Sequence, residues 1–343
     1  FIADEAFVYL RSVSYRGDTK PALGVSETIH PGNNCSFDLI ETDEKLLLTG
    51  YSKRYSSTDN GKTWTEEKLR EMDSFNTVRL QSGDVLTMRR RVMGKDEKTG
   101  ANLLTNFFAV SKDDGETWQE LSMLTPEVKT NVGDKNNSMR QGPSGRIYVI
   151  TMESSNEDYG YNRVWYSDDD GLNWTEGKTP LDAKALGFTI AECTIMELQS
   201  GVARCYFRSN TGYISYIDSY DRGDTWETTP HTTPFLSPAN MFNIDYDPVD
   251  KGTLYMAWGY DNAGIDARVQ FNRSRWAVAK STDDGETWEF LGTYHENNYL
   301  NSTWFMNLNI NVARDCFILE CYSMDNLSFG YCRKKQAEAS QKI

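Results

Sequence analysis

Short apolar runs separated by turn residues are the dominant pattern along this chain. Such runs occupy residues 46–48, 85–88, 147–149 and 254–256, and a turn with charged residues or glycine precedes each of them. Runs of this length that are bounded by turn signals are typical of β-strands. The sequence has no long apolar segment with helical periodicity. The pattern therefore predicts an all-β fold.

An octapeptide of the form S-x-D-x-G-x-x-W follows five of these strand modules. The copies begin at Ser57, Ser111, Ser167, Ser219 and Ser281, at nearly constant spacing. Asp and Gly two residues apart suit a tight turn, because the carboxylate accepts from backbone N–H groups and Gly tolerates positive φ. The Trp beyond the turn offers a large apolar face for packing. Repeats of this length are typical of propeller blades.

A sixth strand module at residues 314–319 lacks a clean copy of the octapeptide. Six modules predict a six-bladed β-propeller whose turns carry the repeated motif. Because the repeats fill the 343 residues from end to end, we expect a single domain over residues 1–343.

Composition narrows the classes of partner. A net charge of −14 argues against a protein that coats nucleic acid, since phosphate binding needs a basic face. No apolar run approaches the roughly 18 residues of a membrane span. The six cysteines and three histidines are scattered, so neither a metal site nor a cofactor is expected. The oligomeric state is left open.

The chain begins Phe-Ile-Ala without a Met, which fits removal of a leader and trimming of the chain equally and does not decide the location. Six asparagines open an N-x-S/T triplet, which favours a protein that is secreted, periplasmic or on the cell surface. Such triplets are acceptors for glycosylation in secreted proteins.

The repeated octapeptides resemble the Asp boxes, or BNR repeats, of the sialidase (neuraminidase) superfamily. The resemblance spans residues 33–322. It implies a six-bladed propeller and a carbohydrate substrate bound where the inner strands begin.

The fourth module is the one most similar to the sialidase family. The run 191–201, followed by 202–208, is similar to the sialidase strand pair that brings a glutamate and an arginine into the pocket. By this resemblance Glu192 polarises a nucleophilic tyrosine, and Arg208 is one of three arginines that grip the sugar carboxylate. The hairpin geometry independently brings both residues to one end of the sheet.

The other arginines of the family match less well. Sialidases carry one arginine eight residues before the Ser of an Asp box, which here is Arg273, with Arg275 as the alternative. Their F-R-I-P arginine is absent, because the corresponding run at 33–38 reads N-N-C-S-F-D.

The catalytic acid and the nucleophile are assigned by position. The acid of the family stands near the start of the second inner strand, where this chain has Asp73. The nucleophilic tyrosine precedes the last turn, where Tyr299 is close but displaced and Tyr294 is further away. Replacement of this tyrosine is the simpler interpretation of the displacement.

The beginnings of the remaining inner strands suggest a sugar site. They carry Asn34, Asn136, Asn240 and Trp304. Amides hydrogen-bond to hydroxyl groups, and an indole stacks on a pyranose face. We therefore expect these residues to bind substrate.

Three classes of function follow from these residues. The leading one is an exo-acting glycoside hydrolase of the sialidase type that releases a terminal sialic or related acidic sugar. If the tyrosine is missing, a carboxylate activating water would give inversion of configuration. The alternatives are a lyase acting on uronate-containing polysaccharide and a glycan-binding propeller without catalysis.

Overall fold

The computed structural model of the chain consists of short antiparallel strands arranged in sheets around one axis. It describes residues 24–29, 37–124 apart from 75, 99 and 101, 128–129, 138–155, 158–237, 242–259, 275–295, 305–323 and 327–334.

Strands make up nearly all of the regular structure. In the first half of the chain they are β1 (Gly24–Ile29), β2 (Asp38–Glu41), β3 (Leu46–Thr49), β4 (Arg54–Ser57), β5 (Thr65–Glu67), β6 (Thr77–Arg79), β7 (Val85–Lys95), β8 (Asn102–Ser111), β9 (Gln119–Met123), β10 (Val128–Lys129), β11 (Met139–Gln141), β12 (Ile147–Ser155), β13 (Asp158–Ser167), β14 (Thr175–Glu176) and β15 (Leu181–Asp182). In the second half they are β16 (Ala191–Glu197), β17 (Ala203–Arg208), β18 (Tyr213–Ser219), β19 (His231–Leu236), β20 (Phe242–Tyr246), β21 (Leu254–Gly259), β22 (Arg275–Ser281), β23 (Glu289–His295), β24 (Phe305–Val312), β25 (Cys316–Ser323) and β26 (Leu327–Arg333). A short helix, α1 (Ala183–Leu186), lies between β15 and β16. Among the described residues no helix has the length and apolar character needed to cross a membrane.

Consecutive strands form the sheets, so each sheet corresponds to one sequence module. The first sheet is β2-β3-β4-β5, the second is β6-β7-β8 with β9 and β10 on the β8 edge, and the third is β11-β12-β13 with β14 and β15 on the β13 edge. The fourth is β16-β17-β18-β19, the fifth is β20-β21-β22-β23, and the sixth is β24-β25-β26-β1. The sixth sheet thus joins strands from opposite ends of the chain.

The inner strands close a ring. Each of β2, β6, β11, β16 and β20 contacts the inner strand of the next sheet, and β24 contacts β2. The fold is therefore an all-β propeller, as predicted from the sequence.

The hydrophobic core lies between neighbouring sheets. Leu86 and Trp165 share a cluster that joins the second and third sheets, and Tyr206 and Met256 share one that joins the fourth and fifth. A middle strand is consequently buried on both faces, as β21 is over its whole length. This packing explains why middle strands are continuous apolar runs rather than alternating ones.

The Asp boxes connect the third strand of a sheet to its outer strand in the first five sheets. In the first copy, Gly61 donates its backbone N–H to Ser57 Oγ at 2.7 Å, and Asp59 Oδ1 accepts from the backbone N of Thr63 at 2.9 Å. Burial opposes ionisation of Asp59, but hydrogen bonds from Thr63, Ser57 and Lys62 outweigh it and lower the pKa of Asp59 to about 2. The predicted turn is confirmed, and Gly61 has a φ of 88°.

The antiparallel order gives the central channel two distinct ends. We call the end where the inner strands begin the upper end and the end where they finish the lower end. The third strand of each sheet runs parallel to the inner strand, so the Asp boxes lie at the lower end. The sequence-predicted site belongs to the upper end.

Candidate functional site

Glu192 and Arg208 meet at the upper end of the fourth sheet. The register of β16 on β17 pairs Ala191 with Arg208, directly beside Glu192. Arg208 Nη1 lies 3.1 Å from Glu192 Oε2, and the two side chains are 22% and 11% exposed. The hairpin therefore brings the two residues together as expected, and it leaves the pair partly open to solvent.

A β-bulge holds Glu192 in an unusual backbone conformation. The register shifts between Ala191 and Thr194, and Glu192 has a φ of 54°. Within the described part of the chain, the other five non-glycine residues with positive φ all directly precede the glycine of an Asp box. Glutamate is poorly suited to the left-handed region, which costs about 1–2 kcal/mol for residues other than glycine. Such an outlier suggests a side chain whose direction matters for function.

Asp73 does not join this pair, which corrects its expected position at the upper mouth. Its side chain is fully buried between the first and second sheets, where Oδ1 accepts from Arg54 Nη1 at 3.0 Å. Oδ2 accepts from the backbone N of Arg70 at 2.7 Å. Burial raises the pKa of Asp73, although the Arg70 and Arg54 contacts oppose the increase. Both oxygens are thus occupied in an inter-sheet ion pair, because the chain before β6 folds against Arg54 rather than across the channel.

Six predicted residues lie outside the described residues, and their roles stay predictions: Tyr299, Arg273, Asn34, Asn136, Asn240 and Trp304. The alternatives Arg275 and Tyr294 belong to β22 and β23, where Arg275 pairs with His295 and Trp276 with Tyr294.

The lower end of the channel contains a cavity that the sequence did not predict. It has a volume of about 260 Å³ and is lined by inner-strand residues of five sheets. Its charged residues include Asp38 on β2, Arg140 on β11, Asp245 on β20 and Lys251 in the turn after β20. We call this space the lower cavity.

Burial dominates the electrostatics of the lower cavity. It raises the pKa of Asp38 to about 7, with Asp245 adding to the increase and Arg140 and the Thr77 N–H opposing it. Burial likewise raises the pKa of Asp245 against the effect of Arg140 and lowers the pKa of Lys251. Arg140 Nε lies 3.5 Å from Asp245 Oδ1. In the part of the chain that the structure covers, no group of three or more His, Cys, Asp or Glu could hold a metal ion.

A weak sequence signal marks these residues. Arg140 and Asp245 each interrupt a short inner strand whose neighbours are apolar or uncharged, and Asp38 follows the buried Phe37. A single charge in a buried strand has to meet a partner. The partner cannot be identified from the sequence, because the three residues lie on three different sheets.

Comparison with known proteins gives four findings. Residues 92–332 match the family described as the BNR repeat-like domain. A sialidase from Paraclostridium sordellii is 28% identical over 233 residues, which cover 59% of this chain and 55% of that protein, so the chain spans about half the length of this relative. A Dyadobacter fermentans protein of unknown function superposes with a TM-score of 0.62 at 16% identity, covering 91% of this chain and 99% of that one. A Hadza microbial sialidase gives a TM-score of 0.59 at 17% identity, covering 87% and 65% of the two chains. At these identities the two structures are similar in fold.

Proposed function

Because the chain belongs to the BNR repeat-like domain family, we propose that it is an exo-acting glycoside hydrolase of the sialidase type, built on six blades. Its substrate is a glycan that ends in sialic acid or a related acidic sugar. The observation that carries the proposal is the Glu192–Arg208 pair, which a strained bulge holds at the upper end of the channel. The 28% identity to a sialidase supports the same class of reaction.

In the proposed site, Arg208 binds the carboxylate of the sugar. A guanidinium carries five N–H donors in a planar fork, which matches the two oxygens of a carboxylate. Arg273 is the second proposed guanidinium. The amides of Asn34, Asn136 and Asn240 bind hydroxyl groups, and one face of the sugar ring stacks on Trp304.

Glu192 acts in this proposal through a tyrosine. It accepts the phenolic proton of Tyr299 as the tyrosine oxygen attacks the anomeric carbon and the bond to the leaving oxygen breaks. Asp73, once released from Arg54, gives its proton to the leaving oxygen. Water then displaces the tyrosine: Asp73 takes the proton that the water loses, Glu192 returns its proton to the tyrosine oxygen, and the configuration of the sugar is retained. Inverted configuration of the first product, measured by NMR, would instead indicate direct attack by water.

The contacts of Asp73 favour a second candidate, a glycan-binding propeller without catalysis. The leaving oxygen of a glycoside needs a proton donor. The Asp73 carboxyl is buried and accepts from both Arg54 and Arg70. It can protonate a substrate only after its ion pair with Arg54 is broken.

Release of methylumbelliferone from its sialoside tests the proposal. We expect release by the wild type and a rate about 10²–10⁴-fold lower for Glu192→Gln, which removes a proton acceptor. Glu44→Gln is the matched control, because Glu44 is exposed in the turn after β2 and its rate should equal that of the wild type. Sialoside binding without release, unchanged by Glu192→Gln, would select the binding propeller. An unsaturated uronate product that absorbs in the near ultraviolet would select the lyase.

A further inference from the structure

A buried asparagine on the third sheet lies beside the chain that leads to Glu192. Asn162 on β13 is 1% exposed. It pairs across the sheet with Leu181, and Leu181 and Ile190 belong to one hydrophobic cluster. Burial of an amide among apolar side chains costs free energy unless the amide is hydrogen-bonded. Asn162 Nδ2 donates to the carbonyl oxygen of Ile190 at 3.3 Å, so the amide links the third sheet to the segment before β16.

The backbone of β13 also packs directly against Ile190. Gly160 has a φ of 124°, and a Cβ atom at this position would lie 2.7 Å from the oxygen and 3.2 Å from the nitrogen of Ile190. A glycine permits this conformation and this close approach. The backbone of Ile190 is thus held by two residues of the neighbouring sheet, Gly160 through contact and Asn162 through a hydrogen bond.

These contacts fix the chain on one side of the bulge that contains Glu192. On the other side, the regular ladder resumes where Thr194 pairs with Tyr206. A strand can lose a bulge by shifting its register by one residue, which turns its side chains to the opposite face. Because Ile190 is held from the third sheet, the beginning of β16 resists this shift, and the positive φ of Glu192 is maintained.

We propose that Asn162 is a positioning residue for Glu192, because it holds the Ile190 carbonyl and thereby keeps the bulge that directs the glutamate. Its effect on catalysis rests on the proposed function, whereas its effect on the backbone of Glu192 does not. Displacement of a catalytic group by about 1 Å can lower the rate about 100-fold. Arg208 also pairs with Ile214 of β18, on the side away from the bulge. Binding of the sugar carboxylate should therefore change less than the chemical step.

Asn162→Leu tests this role, because leucine has the same branched shape but no donor. The first readout is the Cα chemical shift of Glu192 in protein that carries ¹³C-labelled glutamate. This shift depends on φ, and its signal is identified as the one that Glu192→Gln removes. We expect the signal to move in Asn162→Leu. The second readout is hydrolysis of the methylumbelliferyl sialoside, for which we expect kcat to fall at least about tenfold while KM changes less than about twofold.

Asn311→Leu is the matched control. Asn311 on β24 is 2% exposed, and its Nδ2 donates to the carbonyl of Phe37 at 3.4 Å, which links the sixth sheet to the chain entering the first. The variant therefore loses the same kind of bond between neighbouring sheets, and these sheets do not include β16. We expect both variants to lose stability in urea unfolding, but Asn311→Leu should keep the wild-type kcat and an unmoved Glu192 signal.

Three results would overturn the proposal. They are an unmoved Glu192 signal in Asn162→Leu, equal losses of kcat in the two leucine variants, and a loss confined to KM. If the wild type does not hydrolyse the sialoside, the proposed hydrolase function fails, and the Glu192 signal alone decides the positioning role. If Asn162→Leu does not fold, Asn162→Ala and its control Asn311→Ala give the same comparison without added volume.

Discussion

The two ends of the central channel hold charged groups in different ways. At the upper end, Glu192 and Arg208 come from one hairpin, and a bulge with positive φ aims the glutamate. At the lower end, Asp38, Arg140 and Asp245 come from three different sheets and lie on regular inner strands. The upper pair therefore depends on local backbone geometry, whereas the lower cluster depends on closure of the ring.

This difference indicates that substitutions at the upper end mainly affect function and that substitutions at the lower end mainly affect stability. A partly exposed ion pair on a strained bulge can be substituted without disrupting the hydrophobic core, because the surrounding structure holds the bulge in place. A buried cluster of opposite charges cannot lose one member without leaving an uncompensated charge in a medium of low polarity. Mutations at the two ends should consequently change different observables.

The largest expected effect is at the lower end. Arg140→Met removes the charge that favours the ionised forms of Asp38 and Asp245, and we expect the free energy of unfolding at pH 8 to fall by about 3–5 kcal/mol. Urea unfolding measures this change. Lys53→Met is the control, because it breaks an exposed ion pair with Glu66 and should cost less than about 1 kcal/mol. Equal losses for both variants would show that the lower cluster is not an electrostatic unit.

The second-largest expected effect is a change in the free energy of unfolding with pH. The pKa of Asp38 is raised from 3.8 to about 7 in the folded state, so folding binds a proton between these values. The stabilising contribution of Asp38 is fully present below pH 3.8 and is lost as the pH rises through about 7. The wild type should lose up to about 4 kcal/mol relative to Asp38→Asn over this range, at about 1.4 kcal/mol per pKa unit. Chemical unfolding of both proteins at a series of pH values measures the difference, and a constant difference would contradict the assignment.

At the upper end, Arg208→Lys should affect catalysis rather than folding. Lysine keeps the charge but lacks the planar fork that binds a carboxylate along two bonds. We expect kcat/KM for the sialoside to fall about 100-fold, equivalent to about 2.7 kcal/mol, with the melting temperature nearly unchanged. Arg163→Lys, whose partner Glu176 lies on the third sheet, should retain the wild-type kcat/KM. A similar loss in both variants would argue against a specific role for Arg208.

The smallest expected effect on stability tests the backbone strain at Glu192 in the bulge. Glu192→Gly relieves the left-handed strain of about 1–2 kcal/mol but makes the unfolded chain more flexible, so a net stabilisation of about 0.5–1 kcal/mol is expected together with loss of activity. Urea unfolding and sialoside hydrolysis report the two changes.

The control for that prediction is Asn60→Gly. Asn60 has a φ of 59° in the first Asp box, and asparagine tolerates this region better than glutamate does. The substitution should change stability little and leave activity intact. Destabilisation by Glu192→Gly would mean that the ion pair with Arg208 outweighs the backbone strain.

The sequence predicted the parts of the molecule that are determined locally. The S-x-D-x-G-x-x-W turns and the strands that lead into them are confirmed, because their hydrogen bonds lie within a few residues, as between Ser57 and Gly61. The approach of Glu192 to Arg208 was predictable for the same reason, since one turn joins their strands.

The remaining features depend on contacts between sheets. An aspartate before a strand has the same sequence signature whether it faces a channel or a neighbouring sheet, and Asp73 is directed to Arg54 by packing that spans two modules. The lower cavity combines Asp38, Arg140 and Asp245, whose proximity follows from ring closure. The strain at Glu192 has no sequence signal, because the motif shows no glycine or asparagine there.

The sixth sheet can be completed only late in translation. Gly24 on β1 pairs with Tyr331 on β26, so the first of these strands leaves the ribosome long before its partner exists. Until β26 is made, β1 has an open edge of the kind that promotes pairing between chains. Nascent chains that stall before β26 should therefore pair with other chains more readily than completed ones do.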